Sequence, residues 1–166
     1  MAILKIFEFP DPILKKMCTE VTSFDSQLEG FVKDLVDTLN SHQYCVGIAA
    51  SQVGNLKRII TIDISRARKP QASNGLLILI NPVIKEASEH KIVREGCLSI
   101  PDFTGNVKRA MKIKVGFQDI KGNTHELETT NFEAHAIQHE NDHLDGLLFL
   151  DRITSPASDI FRRAKH

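Results

Sequence analysis

In the stretch "SFDSQLEGFVKDLVDTLNSH", Leu28, Phe31, Val32, Leu35, Val36 and Leu39 fall at i, i+3, i+4, i+7, i+8 and i+11, with polar residues filling most of the gaps. That period predicts an amphipathic helix with one apolar face. Small residues and two glycines follow in "GIAASQVGN"; "LKRIITIDI" is then rich in β-branched residues and has the length of a buried strand. "SRARKPQASNG" reads as a polar loop and "LLILINPVI" as a further strand, in which Pro82 calls for an edge or a bend. Two strands joined at Lys121-Gly122-Asn123 are expected in "MKIKVGFQDIKGNTHELETT". Helical spacing returns in "TTNFEAHAIQHENDHLDG", where Thr130 and Glu133 are spaced as a capping box and Gly146 is set to end a helix from about 131 to 145. Helices at both ends of a strand-rich middle, without internal repeats, predict an α+β fold rather than a βαβ alternation. At 166 residues the chain is expected to form one domain, 1–166.

On the last helix, Phe132, Ala136, His139 and His143 follow steps of four, three and four, so both imidazoles continue an apolar stripe. In the pattern His139-Glu140-x-x-His143, two imidazoles one turn apart can converge on one metal ion, and Glu140, about 100° around the helix from His139, can reach the same centre as a base. Either histidine alone is more often a hydrogen-bonded core residue; a buried set of three polar side chains is satisfied at one stroke by a cation. A catalytic site needs a third protein ligand. Position 149 is Phe, which excludes the pattern with a third downstream histidine. The carboxylates of Asp145, Asp151 and Asp159 ordinarily stay solvated after a helix. Cys97, in "REGCLSIPDF", is either a thiolate that completes a Cys-His-His set or a small buried hydrophobe.

Charge narrows the function classes. Lys plus Arg equals Asp plus Glu at 21 each, so no overall field favours DNA or an anionic membrane surface. Three widely spaced cysteines, Cys18, Cys45 and Cys97, do not suggest a disulfide framework; "LLILI" is far too short to span a bilayer, and "MAILKIFEFP" lacks the features of a signal peptide. A cytoplasmic protein with reduced thiols is expected. The basic "RRAKH" at the C-terminus reads as a solvated helix end.

Together and in this order, "GIAASQ", "EGCLS" and "QHENDHLDG" resemble the motifs of peptide deformylase, and "ILKIFEFPDPILKK" resembles that family's amino-terminal segment. The resemblance, to the compact bacterial type, implies a strand-rich body packed around a central metal-binding helix. The implied reaction removes the formyl group from N-formylmethionyl nascent peptides. It further implies that Cys97, His139 and His143 hold one divalent metal ion, that Glu140 is the general acid/base, and that Gln52 and the backbone N–H of Leu98 stabilise the oxyanion. By matching position, Val46, Gly47 and Gly96 would bind the peptide as an added strand. Val46, Val93, Phe132 and Ala136 would line the methionine pocket, and Glu95 would pair with Arg109 to brace the cysteine loop. Fe(II) is implied for the metal, while the ligand types also suit Zn, Co or Ni. Contact with the ribosome is left open. The chain departs from the family pattern at Cys45, Ser51, Thr104, His135 and Asn141, which bear on peptide binding more than on the reaction. The path beside Val46 is expected to be narrower or the backbone there slightly different, and His135 is expected to face solvent rather than the pocket rim. Two rivals remain: a metallopeptidase with a downstream ligand, and a relative that binds metal or peptide without catalysis.

Overall fold

The computed structural model describes residues 2–69 and 71–163. Its elements are α1 (Ser26–Ser41), β1 (Gly47–Ala49), β2 (Ile59–Ile62), β3 (Leu77–Cys97), β4 (Ile100–Gln118), β5 (Thr124–Thr130), α2 (Asn131–Leu144), α3 (Pro156–Asp159) and β6 (Ile160–Arg162). The strands pair antiparallel in the order β1-β2-β3-β4-β5, and β6 pairs with β4. This is the expected α+β fold, with α2 packed against β1, β2 and β4.

Strand β2 explains why its sequence is almost continuously apolar. Ile60 and Ile62 face α2, packing with Ala134, Ile137, Leu79 and Ile113, whereas Ile59 faces α1 with Val32, Leu35, Leu39 and Ile48. Side chains alternate between the two faces of a strand, and here both faces are covered by helices. The apolar face of α1 is buried at Leu28, Val32, Leu35 and Leu39, and Asp25 caps its start by accepting from the N–H of Leu28 at 3.0 Å. A third apolar cluster, Leu14, Ile100, Val107, Leu148 and Phe149, lies beneath Cys97.

Several expectations change in detail. Pro82 lies in an internal strand, and the ladder absorbs it by a register shift between Ile80 and Val83. Asn81 takes φ +52 there, and its side chain accepts from the N–H of Val21 and donates to Val21 O, both at 2.9 Å. The hairpin of β3 and β4 is far longer than the expected strands, and it turns at Leu98-Ser99, directly after Cys97. Thr130 is the N-cap of α2 but makes no side-chain cap. The capping box does not form because the Glu133 carboxylate instead accepts from Thr129 Oγ1 at 2.8 Å and from the Asn74 backbone at 2.9 Å. Gly146, at φ +75, follows the helix end as expected. Of "RRAKH", Arg162 lies in a strand rather than a helix end, because it pairs with Phe103 of β4; residues 164–166 lie outside the described residues. No helix among the described residues is long and apolar enough to cross a membrane.

Candidate metal centre and cleft

Helix α2 is buried along most of its length, and His139, Glu140 and His143 project from it toward the end of the long hairpin. Cys97 reaches them from the last position of β3. The three candidate ligand atoms all lie within 4.8 Å of one another, with Cys97 Sγ 3.4 Å from His143 Nε2. Glu140 faces both rings: Oε2 is 3.9 Å from His139 Nε2 and Oε1 is 4.0 Å from His143 Nε2. Two of the downstream carboxylates are engaged elsewhere, Asp145 with Arg58 at 2.8 Å and Asp151 with Lys15 and the N–H of Leu148.

Glu95 organises the site from behind. Its Oε2 accepts from Arg109 Nε at 2.6 Å, and its Oε1 accepts from Arg109 Nη2 at 2.9 Å and from His139 Nδ1 at 2.7 Å. A proton on Nδ1 leaves the Nε2 lone pair of His139 turned toward Cys97 and His143. Burial acts to raise the Glu95 carboxyl, but hydrogen bonds from Arg109, His135 and His139 overcome it and hold the group far below the ordinary carboxylate range. Arg109 continues the chain to Asp142 at 2.7 Å, and Asp142 accepts two further bonds from Arg152 at 2.7 and 2.8 Å. Asp142 and Arg152 were not singled out from sequence, where an acidic residue beside the second histidine reads as solvated.

His135 does not face solvent. It is 8% exposed, with Nε2 2.7 Å from Glu95 Oε2 and its ring edge-on to Phe132. The signal was available: position 135 precedes His139 by four residues and therefore lies on the same face of α2.

Gln52 is held by the Ala49 N–H, which it accepts at 2.9 Å, and by donating to Ser99 Oγ at 3.1 Å. Its Nε2 then lies 3.5 Å from Cys97 Sγ. Ser51 Oγ donates to the His143 carbonyl at 3.3 Å, a tie to α2 that proline could not make. Cys45 turns its Sγ back onto the Gly47 carbonyl at 3.3 Å, and burial pushes its thiol up to about 12. Gly47 lies so close to the site that an added Cβ would be 2.9 Å from Glu140 Oε2.

A cleft of about 520 Å³ opens over these groups, a volume that suits a small ligand. Val46, Gly47, Gln52, Gly96, Leu98 and Phe132 line it, together with Ala136. Val93 does not. It shares the face of Glu95 two residues earlier on β3, paired with Val107, where it packs into the apolar cluster beneath Cys97.

The electrostatics call for positive charge among the ligands. Burial pushes Glu140 up to about 7, partly offset by His139. Burial opposes a proton on His139, yet Glu140, Cys97 and Glu95 draw one there; burial and His139 together keep His143 neutral. Glu140 Oε1 and His143 Nδ1 are buried without a hydrogen-bond partner. A thiol, two imidazoles and a carboxylate arranged around an uncompensated buried centre fit a divalent cation.

Comparison with known proteins agrees with this geometry. The family model described as polypeptide deformylase matches residues 3–159. The peptide deformylase of Heliobacterium modesticaldum is 42% identical over 153 residues, 92% of this chain and 95% of that one. That of Desulfotalea psychrophila is 37% identical over 163 residues, 98% of this chain and 95% of that one. The crystal structure of peptide deformylase from Thermotoga maritima superposes with a TM-score of 0.85 at 35% identity, covering 93% of this chain and all of that one.

Proposed function

Because the chain belongs to the polypeptide deformylase family, it is an enzyme that removes the N-formyl group from nascent peptides, and we propose that its described residues divide that work as follows. Cys97, His139 and His143 hold one divalent cation, with Fe(II) as the native metal and Zn, Ni or Co as substitutes that the same donors accept. When bound, the metal supplies Lewis acidity at the formyl oxygen and lowers the pKa of water. Glu140 takes the proton from the attacking water and delivers it to the departing amine, so that formamide and water become formate and a free amino terminus. A carboxyl raised toward neutrality by burial suits that double duty. Gln52 Nε2 and the N–H of Leu98 donate to the oxygen on which negative charge develops. Glu95 fixes the tautomer and orientation of His139, with Arg109 bracing Glu95.

The peptide lies extended along Val46, Gly47 and Gly96, and Phe132 and Ala136 form the methionine pocket. The 166 residues act as one catalytic domain in the cytoplasm, where nascent chains emerge from the ribosome. The observation that carries this reading is the convergence of Cys97 Sγ and the two imidazoles within 4.8 Å, with Glu140 facing both rings.

The test is formate release from formyl-Met-Ala-Ser by anaerobically purified, Fe(II)-loaded protein, beside Glu140→Ala. Turnover is expected in the parent, and the variant is expected to retain metal and to lose turnover by at least about 100-fold. Metal bound without turnover in the parent would refute the assignment, and an unchanged rate in the variant would remove Glu140 from the mechanism.

A further inference from the structure

Three guanidinium groups from three separate segments line the mouth of the cleft: Arg68, after β2; Arg94, on β3; and Arg163, after β6. All three residues are exposed, and each is positioned by something other than an acid. Arg94 stacks 3.6 Å over the Phe161 ring and donates from Nε to Asn106 Oδ1 at 3.1 Å. Arg68 lies 4.9 Å over the Tyr44 ring. The Arg163 backbone N–H donates to Asp102 O at 2.8 Å, and its guanidinium lies over Gly96, where an added methyl group would collide with Nη2.

Among the described residues none of the three has a carboxylate within 4.0 Å. The carboxylates that line the cleft are Glu95 and Glu140, both buried at its base, and Glu95 is already matched by Arg109. A chain with no net charge thus concentrates uncompensated positive charge at the entrance to its reaction site. Stacking on Phe161 and Tyr44 orders two of these side chains while leaving their N–H edges open to an anion.

The geometry points to Arg68, Arg94 and Arg163 as a specificity-determining rim that favours peptides with an acidic side chain one or two residues after the formylated methionine. The inference rests on the deformylase reading for the path of the peptide. Formylation removes the amino-terminal charge of the substrate, so downstream side chains alone decide the sign of the charge entering this mouth. An Asp or Glu there finds a guanidinium on either side, whereas a Lys or Arg meets repulsion.

The test compares C-terminally amidated formyl-Met-Ala-Asp, formyl-Met-Ala-Ser and formyl-Met-Ala-Lys, and the series with the charged residue at the second position. Amidation removes the terminal carboxylate, which would otherwise mimic an acidic residue. At about 20 mM salt the Asp peptide is expected to exceed the Lys peptide by roughly tenfold in kcat/KM, with the ratio falling toward one at about 0.5 M. Arg68→Gln with Arg163→Gln is expected to remove most of the low-salt preference, and turnover of the Ser peptide in the same protein controls for folding. The affinities of the Asp and Lys peptides for Glu140→Ala protein separate the two possible failures. No turnover of the Ser peptide by the parent defeats the deformylase reading; equal affinity for Asp and Lys peptides defeats the rim. A preference that survives both salt and substitution, or a double variant that loses ribosome binding while its peptide preference stays unchanged, would likewise overturn it.

Discussion

Glu95 is nearly fully buried, yet it meets three cationic or hydrogen-bonding side chains, and its charge is what makes that arrangement stable. Replacing it with Gln removes the charge and puts an amide donor against Arg109 or His139. Glu95→Gln is expected to weaken metal binding by about 10–100-fold, measured by competition with a chromophoric chelator, because His139 loses the partner that fixes its tautomer. It is also expected to destabilise the folded metal-free protein by about 3–5 kcal/mol in urea denaturation, the usual cost of leaving a buried charge unmatched. The pH dependence follows from the same carboxyl. Its folded pKa lies below the unfolded value of about 4.3, so its contribution is complete above that value and is lost as the pH falls through and below it. Metal-free wild-type protein should therefore lose thermal stability below about pH 4.5 more steeply than Glu95→Gln. Gly47 makes a different demand: Gly47→Ala would press a methyl group on Glu140 Oε2 and Ile62 Cδ1. We expect metal to remain bound while formate release falls by about tenfold or more, since a small displacement of a positioned base is costly.

Among the elements, α2 carries most of the candidate metal centre, His139, Glu140 and His143, and its end is fixed by one glycine. Gly146 sits at φ +75 with Lys15 O where a Cβ would be 2.5 Å away, so Gly146→Ala is strained in conformation and blocked by backbone. A loss of about 1–3 kcal/mol is expected from chemical denaturation, with a larger value if Lys15 must move. Both long helices and the grouping of His139, Glu140 and His143 on one of them were legible in the sequence, because helical period and the spacing of neighbours on a helix are local properties; Cys97, 42 residues earlier, stood open between ligand and buried hydrophobe and was singled out only by the family resemblance. The long hairpin was not. Residues 85–94, "KEASEHKIVR", have no apolar alternation and are mostly exposed; they are strand because β4 offers a ladder, which is a tertiary fact. The ion-pair chain through Asp142 and Arg152 was hidden for the same reason, since its partners come from separate elements. The capping box failed because Glu133 found nearer donors in Thr129 and Asn74.

At the scale of the whole molecule, the sheet and α2 bring the end of β3 to the side of a helix that follows much later in the chain. Removal of the metal by a chelator should lower the melting temperature, and restoring Fe(II) or Zn should recover it in a concentration-dependent way, because ligand that binds only the folded state adds to its stability. The Fe(II) form should lose activity during storage in air through oxidation at the metal and at Cys97, and anaerobic storage should prevent it.

The position of Cys97 at the tip of a hairpin also sets an order of events during the maturation of the protein. His139 and His143 are neighbours on one helix, but the thiolate joins them only after the hairpin has paired and docked, which closes the chain between residues 97 and 139. With the proposed ligand set, a chain still being synthesised would offer at most a two-imidazole site of low affinity, one that loose metals of several kinds would share. With that ligand set, metal selection would wait until folding is complete, and the pool of free cations that the finished protein meets, rather than the one present during its synthesis, would determine which ion it carries.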